Sequence, residues 1–270
     1  MKPSKTMNTE GRTDKRQQSI AHCFSRAAAH YDRHAHFQRQ VGATVMTLLP
    51  QSLVGKHVVD IGSGTGYMAK QCMARGARVT CVDLSISMHQ QAKLRCGERQ
   101  VDYLVADAAF LPLVNQSADF VVSNLALQWC QPLSTSLAEI QRILKPNGQA
   151  HFSTLLAGSL SELRQAYCRA GLAPNINRFL SFNQVNIAMA QVATGQSRLR
   201  LENVQLDYER VVDLLRDLKG IGATYVEQRQ HQNLNRKTLS GLERAFAQLC
   251  SSNSGLNVTY QVGIGSFYNE

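Results

Sequence analysis

The stretch VVDIGSGTG, Val58 to Gly66, sets a β-branched apolar run against an acid, Asp60, and then spaces three glycines at alternate positions, 62, 64 and 66. Such a run reads as a buried strand, and glycines behind it mark a loop whose backbone turns tightly or lies close to a ligand. Outward from this point, short apolar runs alternate with amphipathic stretches, as in parallel strands joined by crossover helices. HVVDI (57–61), ARVTCVDL (77–84), VDYLVAD (101–107), ADFVVSNLAL (118–127) and QAHFSTL (149–155) read as strands. YMAKQCMARG (67–76), LSISMHQQAKLRC (84–96) and LSTSLAEIQRILKPNG (133–148) read as helices, the last closed by Lys145, Pro146 and Gly148. This order predicts a doubly wound, mostly parallel α/β sheet with the strands ending on one rim. Residues 159–171, 182–193, 211–220 and 239–250 also read as helices, and 198–209 and 257–267 as two more strands, making seven.

The chain has 270 residues, 44% of them hydrophobic and 18% charged, the balance of a folded protein with a large core. Its first 19 residues are polar and charged, with neither the apolar core nor the cleavage site of a signal peptide, and predict a flexible tail and a cytoplasmic protein. Seven cysteines, at 23, 72, 81, 96, 130, 168 and 250, include no CxxC pair, which argues against a disulfide framework or a zinc site. His22, His30, His34 and His36 cluster without a carboxylate set of metal-binding pattern, so no metal is expected. The net charge of +10 suits an acidic partner. Its basic residues are dispersed and not interleaved with aromatics, which argues against nucleic acid.

The glycine loop admits three readings. Dinucleotide sites space their glycines GxGxxG, whereas this loop is GSGTG, and a P-loop is excluded because no GK[ST] follows. The third is the loop around the amino-acid end of S-adenosylmethionine, formed here by Gly62, Ser63, Gly64 and Gly66, where bare backbone lets the ligand approach. Asp60 favours it, since a carboxylate attracts an ammonium or sulfonium and repels phosphate. Asp83, ending the second strand, is placed to accept hydrogen bonds from ribose hydroxyls. Asp107 after the third strand is a candidate for the adenine amino group, and Asn124 after the fourth for the methyl-transfer face.

SNLALQWC (123–130), FSTLLAGSLSELRQAY (152–167), NRFL (177–180), LKGIGA (218–223) and FSRAAAHYDRHAHFQ (24–38) carry a closer likeness. From about residue 20 to its end, the chain resembles the malonyl-acyl-carrier-protein O-methyltransferases of biotin synthesis, within the S-adenosylmethionine-dependent methyltransferases. The resemblance implies one methyltransferase domain over 20–270, with N-terminal helices at 20–50 and insertions at about 156–194 and 211–250 forming a lid. It implies that Leu84, Met88 and Ala108 complete the cofactor site and that Gln128, Trp129 and Phe179 line a substrate pocket. Its substrate would be malonyl on an acidic acyl carrier protein, or malonyl-CoA; another small acid or a quinone precursor is the alternative acceptor. Tyr31 matches the family's lid tyrosine, with its ring against the sulfonium. The chain departs from the family at Ser63, commonly Cys, at Asn147, commonly Gly, and at Asn175, commonly His.

A malonyl carboxylate is already ionised near neutral pH, given a carboxyl pKa of roughly 4, so the reaction requires no general base. Catalysis then rests on orientation, exclusion of water and a cation on the carboxylate, for which Arg178 of NRFL is the candidate.

Overall fold

The computed structural model describes residues 10–226, 235–249 and 256–270. The first nine residues of the expected tail, positions 227–234 of the expected lid and Cys250 lie outside them. The seven strands are β1 (His57–Ile61), β2 (Arg78–Asp83), β3 (Val101–Val105), β4 (Ala118–Asn124), β5 (Leu144–Leu155), β6 (Ser197–Tyr208) and β7 (Leu256–Tyr268). They form one sheet in the order β3-β2-β1-β4-β5-β7-β6. β1 to β5 are parallel, and β7 runs antiparallel between β5 and β6. The winding reverses between β1 and β4, the crevice where open α/β sheets bind ligands.

The helices are α1 (Glu10–Ala27), α2 (Tyr31–His34), α3 (His36–Met46), α4 (Tyr67–Ala74), α5 (Ile86–Cys96), α6 (Leu133–Ile143), α7 (Ser161–Arg169), α8 (Phe182–Ala190), α9 (Val211–Gly220) and α10 (Arg236–Ala247). β1 is buried on both faces, so its apolar residues are continuous rather than alternating, as in a sheet covered on both sides. Val58, Val79 and Val122 pack with α3, α4, α7, α9 and α10 in one core. Val59, Val82 and Val121 face the second core, which α6 and α8 close.

Three expectations change. Helix α1 begins at Glu10, so the tail does not extend to residue 19. Its apolar residues Ile20, Phe24 and Ala27 are three and four apart, and the surrounding charge masks that pattern. Helix α6 stops at Ile143, and the fully buried Leu144 pairs with Ala118 of β4. Pro146 biases the residue before it towards extended backbone, so strand pairing starts sooner than the glycine suggests. Helix α8 buries Val185 and Met189 in the second core, alongside α6, and belongs to the layer on that face of the sheet.

Candidate cofactor and acceptor site

At the end of β1 the chain turns through Gly62, at φ +68°. The loop is pinned to β2: the Gly62 and Ser63 N–H groups donate to the Val82 carbonyl at 2.8 and 3.1 Å, and the Gly64 N–H donates to Asp83 Oδ2 at 2.9 Å. Asp83 Oδ1 accepts from the Ser85 N–H at 2.8 Å. A cavity of about 270 Å³ opens above this loop. Gly62, Gly64, Asp83, Leu84 and Met88 line it from the β1 and β2 ends, and Asp107, Ala108 and Asn124 from the β3 and β4 ends.

Asp60 and Ser63 line a smaller adjoining recess, which shares Tyr31, Gly62, Gly64 and Asn124 with the large cavity. Asp60 is only 2% exposed and its Oδ2 has no hydrogen-bond partner. Burial pushes its carboxyl up to about 7, against the pull of the Ala69 backbone N–H. Burial likewise raises Asp83. A buried carboxylate oxygen without a partner is costly until a cation meets it. The joined hollows therefore fit a ligand with hydroxyls and an aromatic base at one end and a cationic group at the other, as S-adenosylmethionine has. Gly66 lines neither hollow: a Cβ there would meet Ala92 and Cys96 of α5 at 3.1 Å, so glycine lets the loop pack closely on α5.

The N-terminal helices roof the rim with at least one polar contact to each strand-end loop, and Arg16 also donates to the Trp129 carbonyl at 2.7 Å. Gln17 Nε2 donates to Asp107, after β3. Ser25 and Ser85, after β2, have their hydroxyls 2.8 Å apart. Thr65 Oγ1, after β1, donates to Asp32 at 2.8 Å, and Asn124 Nδ2, at the end of β4, donates to the Gln38 carbonyl at 2.8 Å. Residues 17, 25, 32 and 38 thus cross the strands in their spatial order, β3-β2-β1-β4. Gln17 and Ile20 line the large cavity, although the sequence reading placed residue 17 in a tail.

A second cavity, of about 80 Å³, shares Phe24, Tyr31, Leu125 and Trp129 with the first. Tyr31 and Trp129 therefore stand at the junction of the two cavities. Trp129 meets Phe24 edge-on, with centroids 5.5 Å apart. Leu125 adopts φ +50°, an uncommon conformation for a residue with a side chain. Its N–H donates to Ser153 O and Oγ at 3.1 and 2.9 Å, and Gln128 Nε2 donates to its carbonyl at 2.7 Å. Gln128 and Phe179 line this cavity, and so does Asn175. Arg178 does not: it is exposed and lines neither hollow, while its neighbours Asn177 and Phe179 do. In an extended segment, successive side chains face opposite ways, so NRFL aims Arg178 outward in this conformation.

Sequence reading did not single out the far wall of this second cavity. There His34 Nδ1 lies 2.7 Å from Asp217 Oδ1, and Tyr208 and Tyr260 line the wall beside them. Tyr260 stacks on Phe37 at 4.2 Å. The signal was in LKGIGA: a Cβ on Gly220 would lie 2.2 Å from His34 Cδ2, so glycine lets α9 close on α2. Gly220→Ala is expected to lower stability by about 1–3 kcal/mol. That loss should shrink in a His34→Ala background, which thermal melts of the four proteins in a double-mutant cycle would measure.

Among the described residues no group of three or more His, Cys, Asp or Glu could hold a metal ion, and no helix is long and apolar enough to cross a membrane. The sheet order and glycine loop define the class: the fold is that of the S-adenosylmethionine-dependent methyltransferases, and the family model described as "Methyltransferase domain" matches residues 59–152. The YcgJ protein of Bacillus subtilis shares the fold, with a TM-score of 0.59 and 14% identity over 85% of this chain and 97% of that one. So does Haemonchus contortus phosphoethanolamine N-methyltransferase 2, solved with phosphomonomethylethanolamine and S-adenosylhomocysteine, with a TM-score of 0.54 and 19% identity over 85% of this chain and 52% of that one. Sequence relatives are closer. The malonyl-[acyl-carrier protein] O-methyltransferase of Serratia marcescens is 36% identical over 94% of this chain and 96% of its own length, and that of Yersinia pestis 35% over 94% and 92%. The chain belongs to the malonyl-[acyl-carrier protein] O-methyltransferase family.

Proposed function

We propose that the chain transfers a methyl group from S-adenosylmethionine to the free carboxylate of a malonyl group carried on acyl carrier protein. The methyl ester formed is one that biotin synthesis elongates towards pimelate, in keeping with a relative from Cellvibrio japonicus, 34% identical over 90% of this chain and 48% of that one, named "Biotin biosynthesis bifunctional protein BioHC". The observation that carries the reading is the junction of the two cavities at Tyr31 and Trp129, with Asp60 in the recess beside it.

The large cavity and its recess would hold S-adenosylmethionine, which would supply a methyl group activated by its positive sulfur. Asp60 would face the ammonium, Asp83 would accept from the ribose hydroxyls and Asp107 from the adenine amino group, with Leu84, Met88 and Ala108 packing beside them. On the acceptor side, Phe24, Trp129 and Phe179 exclude water, and Tyr31 sets the angle at which the carboxylate meets the methyl carbon. Arg178, between two lining residues, is the cation we assign to the other carboxylate oxygen once the segment turns it inward. The +10 net charge suits an acidic carrier, and malonyl-CoA would enter the same cavity.

The test is transfer of labelled methyl to malonyl-, succinyl- and acetyl-carrier proteins, with Arg178→Ala in parallel. We expect label on malonyl alone and a fall in kcat/KM on the order of 100-fold in the variant, the cost of an unpaired buried charge. Equal labelling of succinyl would put the selectivity elsewhere, and no label on any carrier would overturn the acceptor.

A further inference from the structure

A third hollow, of about 510 Å³, opens between the end of α1, α7 and α9. It shares Asn175, Leu218 and Ala223 with the acceptor cavity and no residue with the cofactor cavity. The three hollows therefore lie in a row with the acceptor cavity in the middle, entered from one side by the methyl donor.

The lining of the outer hollow is graded in character. Leu163, Tyr167 and Leu215 give apolar walls, and Asn175 and Thr224 give polar groups along them. Arg26 and Lys219, both exposed, stand on it from the last turns of α1 and α9. A cation in a helix's last turn is common on its own account. What singles out this pair is that two separate helices bring their cations to one opening, and among the described residues neither pairs with an acid.

We propose that this hollow holds the phosphopantetheine arm of the carried substrate, with its phosphate between Arg26 and Lys219 and its thioester passing Asn175, Leu218 and Ala223 into the acceptor cavity. The inference rests on the reading of the acceptor as a malonyl thioester and deepens it. Such an arm is narrow, carries a branched apolar segment and two amides, and has its one anionic group at the end remote from the acyl chain. The hollow presents apolar walls, amide partners and cations to match. Asn175 lines both hollows, so it lies where the thioester end of the arm would pass rather than at the reacting carboxylate.

The experiment compares the double variant Arg26→Glu/Lys219→Glu with the parent protein on malonyl-acyl carrier protein, malonyl-CoA and malonyl-N-acetylcysteamine, a thioester with no phosphate. Calorimetric titration with coenzyme A alone runs beside it. The ratio of kcat/KM on each phosphate-bearing substrate to that on the truncated thioester should fall about tenfold or more, as should affinity for coenzyme A, and Arg26→Lys/Lys219→Arg should restore both. Unchanged ratios would overturn the assignment. A fall on the carrier protein alone would also overturn it, because the contact would then be with the carrier's surface. If the parent methylated no malonyl thioester, the acceptor reading would fail by itself, and coenzyme A binding in parent and variant would still decide the hollow.

Discussion

Asp60→Asn is expected to make the ligand-free protein harder to melt at pH 8 while weakening S-adenosylmethionine binding about 100-fold. Burial raises the Asp60 carboxyl to about 7 in the folded chain, against roughly 3.9 for a free aspartate. A carboxyl raised on folding holds its proton more tightly in the native state. Its favourable contribution is complete below the unfolded value and is lost as pH rises through 7. Above that the native state bears a buried charge with one unpartnered oxygen, a cost of up to about 4 kcal/mol at roughly 1.4 kcal/mol per pKa unit. Asparagine keeps the shape and removes the charge. At roughly 2–4 °C per kcal/mol for a domain of this size, a gain of up to about 8–16 °C is expected at pH 8, shrinking towards pH 4. Melts across that range measure it, and a gap independent of pH would refute the titration argument. The affinity loss follows from the same charge, since the ammonium would face a neutral amide; for the parent protein, affinity should therefore fall as pH drops below 7. A calorimetric titration at two pH values checks both.

Gly62→Ala is expected to abolish cofactor binding and to lower stability by about 3 kcal/mol or more. Its Cβ would lie 2.2 Å from that of Ala126, an atom with no flexible end to swing away, and the φ of +68° disfavours any side chain by about 1–2 kcal/mol. To relieve the overlap, either the glycine loop or the turn after β4 must move, and both line the cofactor cavity. Ala126→Gly in the same chain should recover the part due to the clash and leave the part due to φ, so melts and ligand titrations of the four proteins separate the two causes. Cofactor affinity near that of the parent in Gly62→Ala would mean that the loop is more adaptable than its bonds to Val82 and Asp83 imply.

The rim positions around the glycine loop were legible because they are local. Asp60 is the last residue but one of β1, and Asp83, Asp107 and Asn124 each end or follow a strand whose apolar run is visible; a parallel sheet carries all such positions to one rim. Gly62 and Gly64 were legible for the same reason, whereas Gly66, equal to them in spacing, turned out to pack against α5. The acceptor half was not legible in this way. His34, Asp217, Tyr208 and Tyr260 come from α2, α9, β6 and β7, and no short-range pattern connects them. Arg178 was chosen for its chemistry, and its direction in an extended segment depends on which neighbours the wall takes up.

Periodicity, strand-end acids and helix stops by themselves determined the sheet, its winding and the loop at its switch point, because each depends on residues within a few positions of one another. Tertiary packing alone decided that residues 17 to 38 cross all four strand ends, that α9 closes on His34 through Gly220, and that three hollows share their walls in a row. Those features depend on distances between segments far apart in the chain, set by how two buried cores fit the faces of one sheet.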